Sequence, residues 1–420
     1  MRILLDENIP LGRKLFGTLG EVTSARGREV DEDFPELEKY DILAIRSVTR
    51  VTPSLVDRAA RCRVIATATI GTDHIDDGYI EQVNNRRATP ITVISAPGSN
   101  AESVADYVWF ALAHLTGREG TGLSGRSLGI IGCGNCGSRV ARRARGFDVR
   151  VLRNDPPRAE RDPDFVSDPL DETLQADFVT LHVPLTREDE SAHPTHRMIG
   201  AAELARMRSG AYLLNSSRGA VVDSAALIEA MEDGDLGGVV LDVYEGEPEP
   251  REELIRLPQL ATPHIAGYAV EAKRRGAVVI YEQTCRALGL PPVDTEGLLR
   301  QGFAPPRQQT VSFDAEGPAT ASADRACRVL LRAIHDIEAT SRELKSTLDS
   351  PRRGELFDRM RKDYESHYGR HELACYAVGF APSVSGDQRR EIARRVAGFG
   401  MTVTDVEPNF VLTAEQALNP

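Results

Sequence analysis

Residues 127–137 read Ser127-Leu128-Gly129-Ile130-Ile131-Gly132-Cys133-Gly134-Asn135-Cys136-Gly137. An apolar run ends on Gly-x-Gly-x-x-Gly, and the residues that follow, Ser138–Arg145, read as a helix. A strand, a glycine turn and a helix in that order open a dinucleotide-binding α/β unit. Gly132 permits the tight turn, Gly134 lets the backbone approach a diphosphate, and Gly137 lets helix and strand pack closely. Asn135 sits in the same turn and joins the glycines as a candidate cofactor contact. The diphosphate would rest at the helix N-terminus, where N–H groups point outward.

Such a pattern alone is weak, because glycine loops also serve merely as turns. Its surroundings strengthen it. The next strand, Val149–Leu152, runs on to Asp155, near the ~20-residue offset expected of an acid that hydrogen-bonds a ribose hydroxyl. Asp155 would repel a 2′-phosphate, which favours NAD over NADP, although Arg153 and Arg158 close by pull the other way. Cys133 and Cys136 have two readings: small residues that fit under a diphosphate, or a redox-sensitive pair at a helix N-terminus. No second closely spaced pair of cysteines or histidines accompanies them, so no metal site is expected.

Working outward, the first hundred residues alternate strand and helix. Met1–Leu5, Ile42–Ile45, Arg63–Ala68 and Ile91–Ser95 read as strands, with Leu11–Leu19 as a helix and Pro53–Ala60 between the second and third strands. This alternation implies a parallel sheet covered on both faces. Asn100 opens a helix to about Leu115, and a second α/β series runs from Ser127 to about Pro263. A helix over Glu271–Leu288 ends at Gly289-Leu290-Pro291-Pro292. Ala304-Pro305-Pro306 reads as a linker. Beyond it, Ala323–Leu348 and Asp387–Ala397 have helical spacing, and Leu373–Val378 and Met401–Val406 look like strands. This terminal segment carries no chemical motif, which points to assembly rather than catalysis.

Composition bounds the function. A chain of 420 residues is too long for one ordinary core, and 41% hydrophobic with 27% charged residues is a globular balance. No apolar stretch reaches the ~20 residues of a membrane helix. The start, Met1-Arg2-Ile3-Leu4-Leu5-Asp6-Glu7, meets charge after three apolar residues, so a cytoplasmic protein is expected. A net charge of −12 argues against nucleic acid and anionic membrane as partners. The six cysteines are too sparse for a disulfide framework.

Three further motifs carry chemistry. Arg218 follows the strand Ala211–Asn215, Glu247 follows Gly238–Val243, and His264 follows Gln259–Thr262. In an open parallel sheet, ligands bind beyond the carboxyl ends of the strands, so these side chains can converge on one crevice. Arginine offers a planar, permanently charged fork for a carboxylate. Histidine can accept the proton of a secondary alcohol while hydride leaves the same carbon. A carboxylate on the far imidazole nitrogen fixes the tautomer and stabilises the imidazolium. Singly, each could be a solvated or structural residue; in this order behind a dinucleotide turn they suit oxidation of a 2-hydroxy acid.

Together the motifs resemble the D-isomer-specific 2-hydroxyacid dehydrogenase family. The resemblance rests on the glycine turn, His182-Val183-Pro184-Leu185, Asn215-Ser216-Ser217-Arg218-Gly219, Asp242-Val243 through Glu247-Pro248, and Thr262-Pro263-His264-Ile265-Ala266-Gly267. It covers about residues 1–290. Leu5-Asp6-Glu7-Asn8-Ile9-Pro10, Arg46-Ser47-Val48-Thr49, Gly71-Thr72-Asp73-His74 and Tyr268 are similar to a branch acting on a small phosphorylated 2-hydroxy acid. The resemblance implies two Rossmann-like, flavodoxin-like parallel-sheet domains with an active-site cleft between them and a small C-terminal α/β domain. Their expected spans are 1–100 with 265–292 for the substrate-binding lid, 101–264 for NAD binding, and 293–420 for homodimerisation. It further implies that Arg218 holds the substrate carboxylate, His264 is the acid–base and Glu247 orients it. Asp155, Val183, Asp242 and Gly267 would contact NAD; Ser47, Thr69 and Tyr268 would contact substrate, with Arg46 on the phosphate. The chain departs from the family's pattern in its loop cysteines, in polar length at Gln82–Thr92 and in an acidic Thr186–Thr195. Two alternatives share the fold: oxidation of another D-2-hydroxy acid such as 3-phosphoglycerate, and a protein that only senses NAD(H).

Overall fold

Short aliphatic runs buried on both faces set the architecture. In Ile3-Leu4-Leu5, alternate side chains enter opposite cores: Ile3 and Leu5 pack with Ile42, Val64 and Ile280, whereas Leu4 packs with Leu43, Ile65 and Val56. The computed structural model describes residues 1–297, 310–313, 323–380, 386–403 and 410–412. Strands β1 (Arg2–Asp6), β2 (Glu21–Ala25), β3 (Ile42–Ile45), β4 (Val64–Thr67) and β5 (Thr92–Ile94) form a sheet of order β2-β1-β3-β4-β5. Every pairing is parallel. Helix Val270–Leu288 returns to this unit and stops at Gly289, whose φ of 67° ends it in the left-handed region. The unit therefore comprises Met1–Asn100 with Ala269–Ala304.

The second unit, Ala101–Tyr268 with Pro305–Pro420, holds the glycine turn. Its strands β6 (Ser127–Ile131), β7 (Arg150–Asn154), β8 (Phe178–Leu181), β9 (Tyr212–Asn215), β10 (Gly238–Leu241) and β11 (Leu260–Ala261) are ordered β11-β10-β9-β8-β6-β7. All pair in parallel. β6 pairs with β7 on one side and β8 on the other, so strand order reverses at β6. The glycine turn leaves β6 at this switch point, the place where open α/β sheets bind ligands.

Helix Ala101–Glu119 is buried nearly all round because C-terminal residues cover the face turned away from the sheet. Trp109 stacks on Phe147 at 4.9 Å, and Phe399 meets it edge-on at 5.4 Å. The C-terminal segment thus shares one core with the dinucleotide part. It carries a third parallel sheet, β14-β13-β12-β15, from β12 (Thr310–Phe313), β13 (Ala377–Phe380), β14 (Thr402–Val403) and β15 (Phe410–Leu412).

The differences from the sequence reading have local causes. β2 escapes notice because Glu-Val-Thr-Ser-Ala is an edge strand with hardly any apolar signal. The helix expected over Ala323–Leu348 is two, Ala323–Ile334 and Ile337–Lys345. The Asp336 carboxylate breaks it by accepting the Ala339 N–H at 3.0 Å as a new N-cap. Leu373–Cys375 forms a 3-10 turn before β13 rather than the start of the strand. The Ala304-Pro305-Pro306 linker and the end of the expected Met401–Val406 strand lie outside the described residues. No helix among the described residues is long and apolar enough to cross a membrane.

Candidate active site

The glycine turn is shaped to admit a diphosphate. Gly132 has φ 87°, and a side chain at Gly137 would place Cβ 2.0 Å from the Gly132 carbonyl oxygen, so helix Asn135–Ala144 can start where it does only without one. At Gly134 a Cβ would meet nothing within 4 Å, and Gly134 and Asn135 are exposed. Gly134 caps the helix with no side-chain hydrogen bond, which leaves the first turn's N–H groups facing outward. These features fit a dinucleotide phosphate.

Asp155, at the end of β7, accepts the Cys133 N–H at 2.7 Å and the Arg158 N–H at 3.0 Å. Its carboxylate retains lone pairs for a ribose. Of the nearby arginines, Arg158 is committed elsewhere. Arg158 donates to the Cys133 carbonyl at 2.8 Å, pairs with Asp162 and lies over Phe165, and Arg153 also covers that ring. The cysteines are free, and burial first of all pushes the Cys133 thiol up to about 12 and the Cys136 thiol up to about 11. Such thiols are protonated at neutral pH, which favours the reading of small packing residues over redox-sensitive ones.

Arg218, Glu247 and His264 follow β9, β10 and β11, three neighbouring strands, at their carboxyl ends. Asn215 shapes the first loop: its Oδ1 accepts from the Ser217 N–H and hydroxyl, and its Nδ2 donates to the Arg218 carbonyl at 2.9 Å. Arg218 Nη1 donates to the Ser217 carbonyl at 2.8 Å, which fixes one edge of the fork. Gly219 is needed because a Cβ there would lie 2.0 Å from the Tyr244 carbonyl carbon. The arginine loop and the Glu247 loop therefore touch through their backbones.

Glu247 turns inward from its acidic loop, whereas Glu245 is held by Ser224 and Arg197. Its Oε1 accepts the Tyr244 N–H at 2.9 Å, and its Oε2 accepts from His264 Nδ1 at 2.8 Å. The proton on Nδ1 leaves Nε2 as the working nitrogen. Burial alone would lower the His264 pKa, but the Glu247 charge and hydrogen bond outweigh it, and the net shift is upward. Burial likewise opposes ionisation of Glu247, yet the His264 charge and hydrogen bond bring it below the usual carboxylate range. The imidazole keeps 38% of its surface exposed, enough to meet a small molecule.

His264 has φ 56°, a left-handed conformation that costs a non-glycine residue of order 1–3 kcal/mol. Asp242 over-determines it. The Asp242 carbonyl accepts the His264 N–H at 2.8 Å, and its buried carboxylate accepts from Ile265 N, Ala266 N and the Thr262 hydroxyl. Burial pushes this carboxyl up to about 6 despite those bonds. Beside the cofactor contact expected of it, Asp242 anchors the histidine loop through these bonds. Sequence reasoning missed this role, and it took Gly219 only as part of the arginine motif.

The remaining expected residues fall in two places. Val183 follows β8, and Gly267 and Tyr268 follow the histidine loop. Arg46 and Ser47 follow β3, and Thr69 follows the paired strand β4 in the first unit, again at carboxyl ends. The Thr69 hydroxyl lies 2.6 Å from that of Thr67, which reaches His74 Nε2 at 3.1 Å.

Comparison with known proteins agrees with this geometry. Residues 100–266 match the family described as D-isomer specific 2-hydroxyacid dehydrogenase, NAD binding domain. The chain is 49% identical over 296 residues to an erythronate-4-phosphate dehydrogenase of Salinibacter ruber, covering 69% of this chain and 72% of the relative. It is 40% identical over 394 residues to that of Marinobacter nauticus, covering 93% and 98%. Among solved structures, the TT0316 protein of Thermus thermophilus is similar with a TM-score of 0.57 and 32% identity, covering 70% of this chain and 99% of that one. The chain belongs to the erythronate-4-phosphate dehydrogenases, within the NAD-dependent D-isomer-specific 2-hydroxyacid dehydrogenase family.

Proposed function

We propose that the protein oxidises 4-phospho-D-erythronate to 2-oxo-3-hydroxy-4-phosphobutanoate with NAD, a step of vitamin B6 biosynthesis. The observation that carries the catalytic part is the 2.8 Å bond from His264 Nδ1 to Glu247, beyond β11 and β10, in a row with β9, which presents Arg218. Gly132, Gly134, Asn135 and Gly137 would hold the diphosphate, and Asp155 a ribose. Val183, Asp242 and Gly267 complete the proposed cofactor set. When bound, NAD supplies the acceptor for a hydride. Arg218 holds the substrate carboxylate and balances charge as the 2-oxo group forms. His264 Nε2 removes the C2 hydroxyl proton, and Glu247 stabilises the imidazolium. One C–H and one O–H bond break, a C=O bond forms, and the proton rests on His264 before passing to solvent.

Ser47, Thr69 and Tyr268 would contact the substrate, with Arg46 on its phosphate. The substrate choice rests on these residues and on the family. A homodimer formed through the C-terminal segment and a cytoplasmic location belong to the same proposal. Steady-state kinetics with 4-phospho-D-erythronate and 3-phosphoglycerate test it: kcat/KM should favour the former, and a preference for 3-phosphoglycerate would overturn the assignment.

The pair also predicts a pH signature. Oxidation needs neutral His264, so activity falls on the acidic side as the ring protonates. In Glu247→Gln the charge that raises the His264 pKa is gone, and the acidic limb of kcat against pH should move to lower pH. Plateau turnover should drop by on the order of 10²-fold, because the imidazolium loses its partner. A limb that stays in place would contradict the pairing.

A further inference from the structure

The C-terminal helix Arg353–Tyr368 lies along the loop that carries Glu247. Arg353 pairs with Glu252 at 2.6 Å, a Cβ on Gly354 would lie 2.6 Å from Glu249 Cγ, and Phe357 meets Tyr244 edge-on at 5.9 Å. One turn on, Arg361 Nη1 stands 3.9 Å from Glu247 Oε2, the same oxygen that accepts from His264. Residues 353, 357 and 361 are four apart and share one helix face. Arg361 Nη2 donates to Asp358 at 3.2 Å, which steadies the guanidinium. The Arg361 and Glu247 side chains are 21% and 19% exposed, so water screens them only in part.

The same segment reaches the loop after His264. Arg370, itself buried, donates to the Ala266 carbonyl at 2.5 Å and the Tyr268 carbonyl at 3.0 Å, and also to the Ser103 hydroxyl. Both loops of the acid–base pair are therefore clamped from the C-terminal segment, a part with no motif of its own.

We propose that Arg361 is a positioning residue for the acid–base pair: its charge shares the Glu247 carboxylate with His264 and so tunes the base from the C-terminal segment. At 3.9 Å it acts as a nearby charge rather than a hydrogen-bond donor. The charged groups bearing on the pair are Asp242 from the end of β10, Arg361 from the C-terminal helix and Asp358 beside it. Arg361 disfavours a second positive charge on His264 and favours the ionised form of Glu247. The base thus stays neutral to lower pH than the Glu247 contact alone would allow. This inference rests on the proposed role of His264.

The test is the pH dependence of NAD-dependent oxidation by the full-length enzyme carrying Arg361→Gln, Arg361→Met or Arg361→Lys. The uncharged variants should move the acidic limb to higher pH, opposite to Glu247→Gln. Turnover on that limb should fall roughly three- to tenfold, with the high-pH plateau less affected. Arg361→Lys should keep the original limb. Arg361→Met retains an apolar stem and provides the measurement if the glutamine variant does not fold. A limb unmoved or moved to lower pH in the uncharged variants, with activity lost equally at all pH, would mean that Arg361 is only packing and would overturn the proposal. If the unaltered enzyme oxidises no 2-hydroxy acid, the assignment of His264 fails instead, and no limb exists to compare.

Discussion

Replacing His264 with alanine is expected to lower kcat by ~10²–10⁴-fold while NAD binding is unchanged. His264 is held left-handed at φ 56° by Asp242, its Nδ1 is committed to Glu247, and its Nε2 is the nitrogen left for a substrate hydroxyl. Removing the imidazole deletes the base but leaves the glycine turn, which belongs to β6 and the following helix. NAD titration by fluorescence or calorimetry separates the two effects. Unchanged turnover in His264→Ala would refute the assigned role, and a matching loss of NAD affinity would make the histidine a cofactor ligand instead.

Arg218→Ala should reduce kcat/KM by about 10²–10⁴-fold. Two charge-assisted hydrogen bonds to a carboxylate are worth about 1.5–3 kcal/mol each, and about 1.4 kcal/mol is a factor of ten. The Ser217 carbonyl holds one edge of the fork and Asn215 holds the Arg218 backbone before substrate arrives, which lowers the ordering cost that offsets that gain. Arg218→Lys should recover part of the loss, since it restores charge without the planar fork. Kinetics of the two variants check this directly: equal activity in the alanine and original enzymes would remove Arg218 from the site.

Much of this site was legible because parallel sheets put function at strand ends. Tyr212–Asn215, Gly238–Leu241 and Leu260–Ala261 are largely apolar runs, and Arg218, Glu247 and His264 stand in the turns that follow them. The glycine turn was readable for the same reason: its residue types answer to backbone geometry. What stayed hidden depends on long-range packing. Asp242 looks like one more acid after a strand, yet its carboxylate is consumed by the backbone of Ile265 and Ala266. Arg361 lies in a charged stretch with several other arginines, and only the fold of the C-terminal helix against the Tyr244–Glu252 loop selects it. The helix break at Asp336 was a capping signal present in the sequence but outweighed there by apolar spacing on both sides.

These findings alter how the C-terminal segment is viewed. Its helices complete the core around Trp109 and reach both loops that carry the proposed acid–base pair. A segment expected to assemble subunits thus touches the loops of Glu247 and His264.

The proposed reaction transfers hydride from C2 of a phosphorylated D-2-hydroxy acid to NAD. Single-turnover conversion of 4-phospho-D-erythronate deuterated at C2 tests it most directly, with both products analysed by mass spectrometry. The deuterium should appear on the reduced nicotinamide together with one equivalent of the 2-oxo acid. Formation of no 2-oxo acid, or loss of the deuterium to water, would contradict the account.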